Sequence, residues 1–317
     1  MKKPDLVISI VNHSNPHLLH DCLRTLHATT HDISYEVWVV DNATDGRGVA
    51  EMQRDFPSVR WLFNTERKGF SANHNQVLKQ AEGRYVCIFN DDTLVHEGAF
   101  DALVRFMDEN PRVGMAGARL LNADGTIQNC TFRPMSLSGA LFDLVFLPRP
   151  LHFLKGRNID PAQFGQEEAR VNWVLGACIV VREECLRDVG LLDEVMSPLG
   201  NTEDTDWCVR AWGAGWEVAF CPEAVITHLT SRSFRPSVTG PDKVRVELWR
   251  TRLAYFRKHH GRMHEALLRL ILVGTLPYNS AVLTQTLLRQ RSTLAEYKRQ
   301  LSTFARIAQM GLRTRVG

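Results

Sequence analysis

No two of the seven cysteines in this 317-residue chain fall in a C-x-x-C pair, which removes the common zinc and dithiol spacings. Cys87, Cys178 and Cys221 sit inside apolar runs. They read as buried thiols of a reducing, cytoplasmic compartment rather than as a disulfide framework. There is no G-x-G-x-x-G behind the first candidate strand and no G-x-x-x-x-G-K-[ST] anywhere, so a glycine loop that cradles phosphate is excluded. Gly46-Arg47-Gly48 lacks the third glycine and reads as a turn. No uninterrupted apolar run reaches the roughly 18 residues of a spanning helix. The run that ends at Val11 is too short for an export signal and leads straight into Asn12-His13-Ser14-Asn15-Pro16.

What is present is ordinary in bulk and uneven in charge. Hydrophobic content of 44% and charged content of 23% suit a soluble chain long enough for one large α/β domain or two modest ones. The net charge of +3 hides an asymmetry: residues 1–242 hold 23 Lys and Arg against 32 Asp and Glu, whereas residues 243–317 hold 15 against 3. An acidic body with a basic tail predicts an anionic partner for the tail.

Strand and helix patterns alternate along the first hundred residues. Leu6–Val11, Glu36–Val40, Val59–Phe63 and Val86–Phe89 read as buried strands, and His17–Thr29, Gly48–Asp55 and Phe70–Glu82 as the helices between them. Such alternation predicts an α/β fold with a mostly parallel sheet and ligands bound beyond the carboxyl ends of its strands. Those ends are polar here. The second strand runs into Asp41-Asn42, the third into Asn64, and the fourth into Asn90-Asp91-Asp92-Thr93. Carboxylates gathered at a strand end are relieved by a hard divalent cation, Mg²⁺ or Mn²⁺, which takes oxygen ligands and bridges a diphosphate. A solvated turn would use the same residue types.

Further along, Phe100–Glu109 predicts a helix, Val113–Ala118 a strand, and Asn122-Ala123-Asp124-Gly125-Thr126 a hairpin turn. Residues 133–170, with Pro134, Pro148, Pro150 and Pro161, predict an irregular excursion near a substrate cleft. Val171–Val181 predicts one core strand, with Gly176 in its middle where a ligand could approach closely. Thr202 reads as the N-cap of a helix whose first turns carry Glu203, Asp204 and Asp206. Capping explains some of that charge, but three carboxylates in four residues exceed what a cap requires. Glu217–Phe220 and Ala224–Thr227 predict two short strands, the second delivering His228 ahead of Ser231-Arg232-Ser233.

Taken in order, these residues resemble the family-2 glycosyltransferases of the GT-A fold, and within them the bacterial rhamnosyltransferases and related O-antigen or cell-wall sugar transferases. The likeness covers about residues 5–235. It rests on Val7-Ile8-Ser9-Ile10-Val11-Asn12, Val39-Val40-Asp41-Asn42-Ala43, Asn64 with Gly69-Phe70-Ser71-Ala72-Asn73-His74-Asn75, and Asn90-Asp91-Asp92-Thr93. Trp173 with Gly176-Ala177-Cys178, Asp193-Glu194, Glu203-Asp204-Thr205-Asp206 and His228 complete the set. Each motif is weak alone; their order is specific.

The resemblance implies a GT-A catalytic domain over residues 1–240, with residues 1–120 binding the donor and 121–240 carrying acceptor and catalytic groups. A basic helical extension follows over 241–317. It implies a nucleotide-diphospho-sugar donor (dTDP-, UDP- or GDP-linked) contacted by Asn12, Asp41, Asn73, Asn90, Asp91 and Asp92. Trp173, Gly176 and Glu203 would face a saccharide or lipid-linked acceptor, and Asp92 and His228 would hold Mg²⁺ or Mn²⁺. Asp204 would be the general base of an inverting transfer through an oxocarbenium-like transition state, with Glu203 sharing the role or positioning the acceptor. Asp206 would support them.

Three departures narrow this. Asn90 replaces the first carboxylate of the family's D-x-D position. Val195-Met196-Ser197-Pro198-Leu199-Gly200-Asn201 lacks the aromatic residues that often stand before the acidic motif. The Q-x-x-R-W signature of processive synthases is absent, which predicts addition of single sugars.

Two rival activities fit the residues less well. A sugar nucleotidyltransferase should carry a glycine-rich, basic loop after the first strand, where this chain has Asn12–Pro16. A binding protein on a degenerate fold would not need both Asp92 and Asp204. In the tail, Val244–His260 and Thr284–Met310 predict basic amphipathic helices, and Pro277 ends the apolar stretch Leu267–Leu276. Such helices suit an anionic membrane surface or a lipid diphosphate on the cytoplasmic face. They equally suit a helical subdomain or a homo-oligomer contact. Nucleic acid is excluded as a partner, because the acidic body would repel its backbone.

Overall fold

A computed structural model describes residues 3–13, 15–46, 48–146, 158–159, 169–197, 202–229 and 241–312. Ser14, most of the 133–170 excursion, Pro198–Asn201 and the Ser231–Ser233 stretch fall outside these residues.

The chain divides into two units. The first comprises residues 1–133, 158–194 and 203–235. Its leading strands are β1 (Leu6–Asn12), β2 (Tyr35–Asp41), β3 (Arg60–Phe63) and β4 (Tyr85–Asn90), separated by helices α1 (Pro16–Thr29), α2 (Val49–Asp55) and α3 (Phe70–Leu78). All seven residues of β1 are buried, as expected of a strand covered on both faces of a parallel sheet. Helix α1 shows how the local sequence sets an element. The Asn15 side chain accepts the Leu18 N–H, Pro16 pre-sets the first turn, and Leu18, Leu19, Cys22, Leu23 and Leu26 form the buried stripe.

After β4 come β5 (Thr93–Val95), α4 (Ala99–Glu109), β6 (Val113–Leu121), β7 (Thr131–Phe132), β8 (Asn158–Ile159), β9 (Ala169–Arg170), β10 (Trp173–Val174) and β11 (Cys178–Arg182). Helix α6 (Glu183–Val189), helix α7 (Glu203–Gly213) and β12 (Glu217–His228) complete the unit; α5 (Leu137–Leu144) lies in the second unit. The main sheet runs β3-β2-β1-β4-β11-β6-β12-β5, with β9 also on β12. Strands β3, β2, β1 and β4 are mutually parallel, as are β6 and β12, while β11 is antiparallel to both its neighbours. The fold is α/β, with the parallel half of the sheet presenting all its carboxyl ends together.

Two strand readings change. The apolar run Val171–Val181 is not one strand. It pairs through β10 with β7 in a separate three-stranded sheet, turns at Gly176-Ala177, and resumes as β11 in the main sheet. Gly176 therefore lies in a turn and not mid-strand. Conversely, the two short strands foreseen over 217–227 are one, β12, with a register shift between Cys221 and Val225. Strand β5, absent from the sequence reading, pairs antiparallel with the end of β12 and sets His228 opposite Thr93.

The second unit comprises residues 134–157, 195–202 and 236–317. Its helices are α5 (Leu137–Leu144), α8 (Pro241–Gly274, broken by a left-handed Gly261), α9 (Leu276–Leu288) and α10 (Leu294–Leu312). Trp249, Leu253, Phe256, Leu268, Leu272, Leu283, Phe304 and Ile307 are among its buried side chains. Helices α8 and α10 cross closely at Gly311, where a Cβ would stand 2.7 Å from the Arg269 carbonyl oxygen. Helix α8 ends at Gly274, just ahead of Pro277, and the proline itself sits in the first turn of α9. The amphipathic stretch Thr284–Met310 is interrupted between α9 and α10 at Arg289–Thr293, where Gln290 adopts a positive φ.

By length and composition, the stretch 242–288 contains a window apolar enough to cross a membrane (mean hydropathy 1.5), of which 28% is buried. An expectation based on unbroken apolar runs misses this window, because Thr275, Asn279 and Ser280 interrupt it without lowering its average enough.

Candidate active site

Three of the parallel strands deliver polar termini side by side. Asn12 at the end of β1 is in register with Asp41 at the end of β2, and Val11 with Asn90 at the end of β4. The Asn12 Nδ2 donates to Asp41 Oδ1 at 2.8 Å, and Thr44 donates to the same carboxylate through its hydroxyl (2.6 Å) and its N–H (3.2 Å). Asp41 is thus a buried, fixed carboxylate acceptor at a strand end.

Beside it lies a clamp made of amides. Asn42 donates to the Lys68 carbonyl and accepts the Lys68 N–H; Asn73 donates to the Lys68 and Gly69 carbonyls; Asn64 donates to Asn73 Oδ1 at 2.6 Å. The structure therefore places Asn73, fully buried, in the scaffold of the 64–69 loop. Asn75 performs a parallel task at the other side of α3. Its amide brackets Leu192, donating to the carbonyl at 2.9 Å and accepting the N–H at 3.1 Å, and it also donates to Glu194. That explains physically why an Asp-Glu pair and an Asn motif over 100 residues earlier belong together. His74 between them is sealed in the core with Nδ1 2.8 Å from Ser9 Oγ. Burial, with a smaller push from His13, lowers its pKa to about 3.

The acidic turn after β4 is also built in. Asp91 accepts the His13 N–H at 3.1 Å. Asp92 Oδ1 lies 3.3 Å from His228 Nε2, and Asn90 Nδ2 lies 3.2 Å from the same nitrogen. Asp92 and His228 are both buried. The backbone secures the meeting, since β5 pairs with the end of β12 and the Leu229 N–H donates to the Asp92 carbonyl. His228 Nδ1 lies 2.8 Å from Gln128 Oε1, a partner the sequence reading did not single out.

Does this donor set fit a divalent cation? Among the described residues no group of three or more His, Cys, Asp or Glu side chains converges. A buried carboxylate beside an imidazole is nonetheless a fitting two-ligand seat for Mg²⁺ or Mn²⁺, whose remaining positions substrate phosphates and water normally fill. Asn90 adds no charge to that seat.

The third centre is the acidic start of α7. Asp204 accepts the Gly176 N–H on Oδ2 at 3.1 Å and the Thr205 N–H on Oδ1 at 2.7 Å, with the Thr205 hydroxyl at 3.4 Å from Oδ1. Burial raises its pKa above the ordinary carboxylate range, because the desolvation penalty outweighs these hydrogen bonds. Gly176 matters through its N–H and its lack of bulk: a Cβ there would stand 3.5–3.8 Å from Asp204 and Phe70.

Glu203 is buried on the same turn. Asp206 is committed elsewhere, bonded at 2.9 Å to Arg210, whose guanidinium also holds the Val189 and Leu191 carbonyls. Trp173 stacks on Phe132 (centroids 3.9 Å apart) and donates to the Arg133 carbonyl. It is 9% exposed, so little of the ring is free for an acceptor.

The chain resembles proteins already known. The chain is 25% identical over 303 residues to the N-acetylglucosaminyl-diphospho-decaprenol L-rhamnosyltransferase of Mycobacterium tuberculosis, spanning 90% of this chain and 94% of that protein. Among solved structures, a mannosyltransferase from Pyrobaculum calidifontis in complex with GDP-Man and Mn²⁺ superposes with a TM-score of 0.56 at 18% identity, covering 98% of this chain and 87% of that one. TarS 1-349 of S. aureus in complex with UDP-GlcNAc gives 0.55 at 16% identity, covering 100% and 83%. These structural likenesses speak for the GT-A fold. The model of the family described as "Glycosyltransferase like family 2" matches residues 4–240. With that match spanning most of its length, the chain belongs to glycosyltransferase family 2.

Proposed function

We propose that this glycosyltransferase moves a single sugar, rhamnose or another deoxyhexose, from a nucleotide-diphospho-sugar to a hydroxyl of a saccharide or lipid-linked acceptor, with inversion at the anomeric carbon. The acceptor class follows the Mycobacterium relative, whose name specifies a diphospho-decaprenol substrate, and the role is in surface polysaccharide assembly. One observation carries the reading: Asp92 and His228, 136 residues apart in the chain, meet at 3.3 Å beside the carboxyl ends of the parallel strands.

Each group has a task. Asp41, locked by Asn12 and Thr44, accepts hydrogen bonds from the base or ribose of the donor. Asp92 and His228 would hold the cation, with Asp91 and Asn90 flanking the diphosphate. When bound, that cation neutralises charge growing on the departing diphosphate. Asp204 takes the proton from the acceptor hydroxyl as its oxygen attacks C1, and Glu203 orients that hydroxyl. A raised pKa suits Asp204 to this role, since a base is most effective with a pKa near the working pH. Gly176 keeps space open beside the carboxylate, and the Trp173 edge bounds the acceptor side.

The second unit supports a peripheral position on an anionic cytoplasmic membrane face. Met263, Leu267 and Leu270 are exposed at helical spacing on α8, within a tail that holds 15 basic against 3 acidic residues.

The Asp92 assignment is tested by titrating nucleoside diphosphate with and without Mn²⁺. Asp92→Ala should lose the Mn²⁺-dependent part of the affinity. Equal affinity for wild type and variant in both conditions would remove Asp92 from the metal seat.

A further inference from the structure

His228 can serve as a cation ligand through Nε2 only if its single neutral-state proton sits on Nδ1. What decides this is a chain of hydrogen bonds that begins on the surface. Strand β6 ends at Leu121 and the chain reverses through Asn122–Thr126, closed by the Asn122 N–H to the Thr126 carbonyl at 2.8 Å and the Gly125 N–H to the Asn122 carbonyl at 2.9 Å. Gly125 takes the positive φ that this reversal requires. The return arm is pinned by the Gln128 N–H to the Leu120 carbonyl at 2.8 Å, which aims the Gln128 side chain at His228.

The polarity of the chain can be read without assuming any hydrogen. Asp124 is exposed, and its bonds from Thr126 hold its carboxyl below the usual range, so at neutral pH it only accepts. The Thr126 hydroxyl therefore donates to it, at 2.6 Å. With its proton spent, Thr126 Oγ1 must accept from Asn122 Nδ2, at 2.9 Å. That fixes the Asn122 amide, whose Oδ1 accepts from Gln128 Nε2 at 3.1 Å. Gln128 then presents Oε1 to His228 Nδ1 at 2.8 Å, and an amide oxygen can only accept. Amide orientations are usually ambiguous; here an unambiguous carboxylate at the far end settles them.

We infer that the Asn122–Gln128 hairpin is an orienting relay, with Gln128 as the positioning residue that keeps His228 as the Nδ1–H tautomer and turns its Nε2 lone pair toward Asp92. Asn90 Nδ2, 3.2 Å from Nε2, can donate to that lone pair, whereas the Asp92 carboxylate at 3.3 Å favours a proton there, so the relay holds the tautomer against the pull of Asp92. The ligand role of His228 rests on the proposed function; the tautomer does not. Groups that orient a ligating histidine typically alter metal affinity 10–100-fold when removed.

The experiment uses full-length protein labelled with ¹⁵N-histidine, with His228→Gln identifying the resonance, and long-range ¹H–¹⁵N correlation spectra of the metal-free enzyme at pH 8. Mn²⁺ affinity is measured separately by electron paramagnetic resonance of the free ion. Wild type should show an unprotonated Nε2 and a protonated Nδ1. Gln128→Leu should populate the Nε2–H form and weaken Mn²⁺ binding about 10–100-fold. Gln128→Glu, which still accepts from Nδ1, should retain the wild-type tautomer with affinity within about threefold of wild type.

Thr126→Val, a change on the exposed turn, should mix the tautomers and guards against a Gln128→Leu variant that fails to fold. An Nε2–H tautomer in wild type, or a ring protonated on both nitrogens at pH 8, overturns the inference. So does a Gln128→Leu variant that loses Mn²⁺ affinity without changing tautomer, or changes tautomer without losing affinity. If wild type binds no Mn²⁺ at all, the metal seat of the proposed function fails, and the tautomer spectra still judge the relay.

Discussion

Replacing Asp204 by asparagine alters one atom of a side chain whose two oxygens each face a backbone donor, Gly176 N–H at 3.1 Å and Thr205 N–H at 2.7 Å. An amide can offer oxygen to only one of them. Its NH₂ must meet the other, at a cost of about 1–3 kcal/mol for the mismatched donor. Against this, removing a charge that burial disfavours returns on the order of 1 kcal/mol, the usual gain when a functional site is relieved. The two nearly offset each other within a total stability of about 5–15 kcal/mol, so the variant stays folded. Loss of a general base costs roughly 10²–10⁴ in rate, or about 2.7–5.5 kcal/mol of activation free energy. The kinetic effect should therefore stand well clear of the structural one. The assay is kcat at saturating donor, with donor Kd by calorimetry and Tm by thermal denaturation. We expect kcat to fall at least about 100-fold, Kd to stay within a few-fold and Tm to move only slightly. Because burial raises the Asp204 pKa, wild-type kcat/KM should decline on the acidic side above the pH of an ordinary carboxylate, with that limb missing from the variant. Turnover within tenfold of wild type would refute the base assignment, and a Kd loss equal to the kcat loss would move Asp204 into donor binding.

The remaining predictions concern stability and location. His74 is held neutral with a pKa of about 3, whereas an unfolded histidine titrates near 6.5. The unfolded state thus binds the extra proton between these values, and the contribution to stability is complete above roughly pH 6.5 and lost as pH falls toward about 3. Between pH 7 and pH 5 denaturant unfolding should show a loss of roughly 2 kcal/mol from this group; a His74→Gln variant with the same pH slope would contradict it. Sedimentation with vesicles containing anionic lipid should capture the full chain at low salt and release most of it at about 0.5 M salt, where screening is short-ranged. Equal capture by neutral vesicles would dismiss electrostatic docking.

How far the sequence is legible depends on whether the information is local. Strands β1, β2 and β4 were readable because they are buried on both faces, so their apolar runs are continuous and their polar ends abrupt. The Val171–Val181 run misleads for the same reason. Apolar continuity cannot register that Trp173 pairs with Phe132 in one sheet while Cys178 pairs with Phe89 in another. Pro277 marks the end of α8 at Gly274, but that it also opens α9 is told only by the backbone, because proline suits either place. Asp41, Asp92, Asp204 and His228 were nominated from strand and helix ends. The networks that hold them were not, because Gln128 to His228 and Asn75 to Leu192 are side-chain contacts across 100 and 117 residues. Strand β5, three residues long, carried too little pattern to be seen, yet it is what sets His228 beside the acidic turn.

The central claim is that this chain transfers a sugar from a nucleotide-diphospho-sugar with inversion. The most direct test is to incubate the enzyme and Mn²⁺ with a panel of dTDP-, UDP- and GDP-sugars and a polyprenyl-diphospho-saccharide acceptor. The anomeric configuration of the new linkage is then read by nuclear magnetic resonance. We predict a single added sugar, a deoxyhexose, whose anomeric configuration is opposite to that in the donor. A product that keeps the donor's configuration, or no product with any donor that binds, would contradict the account.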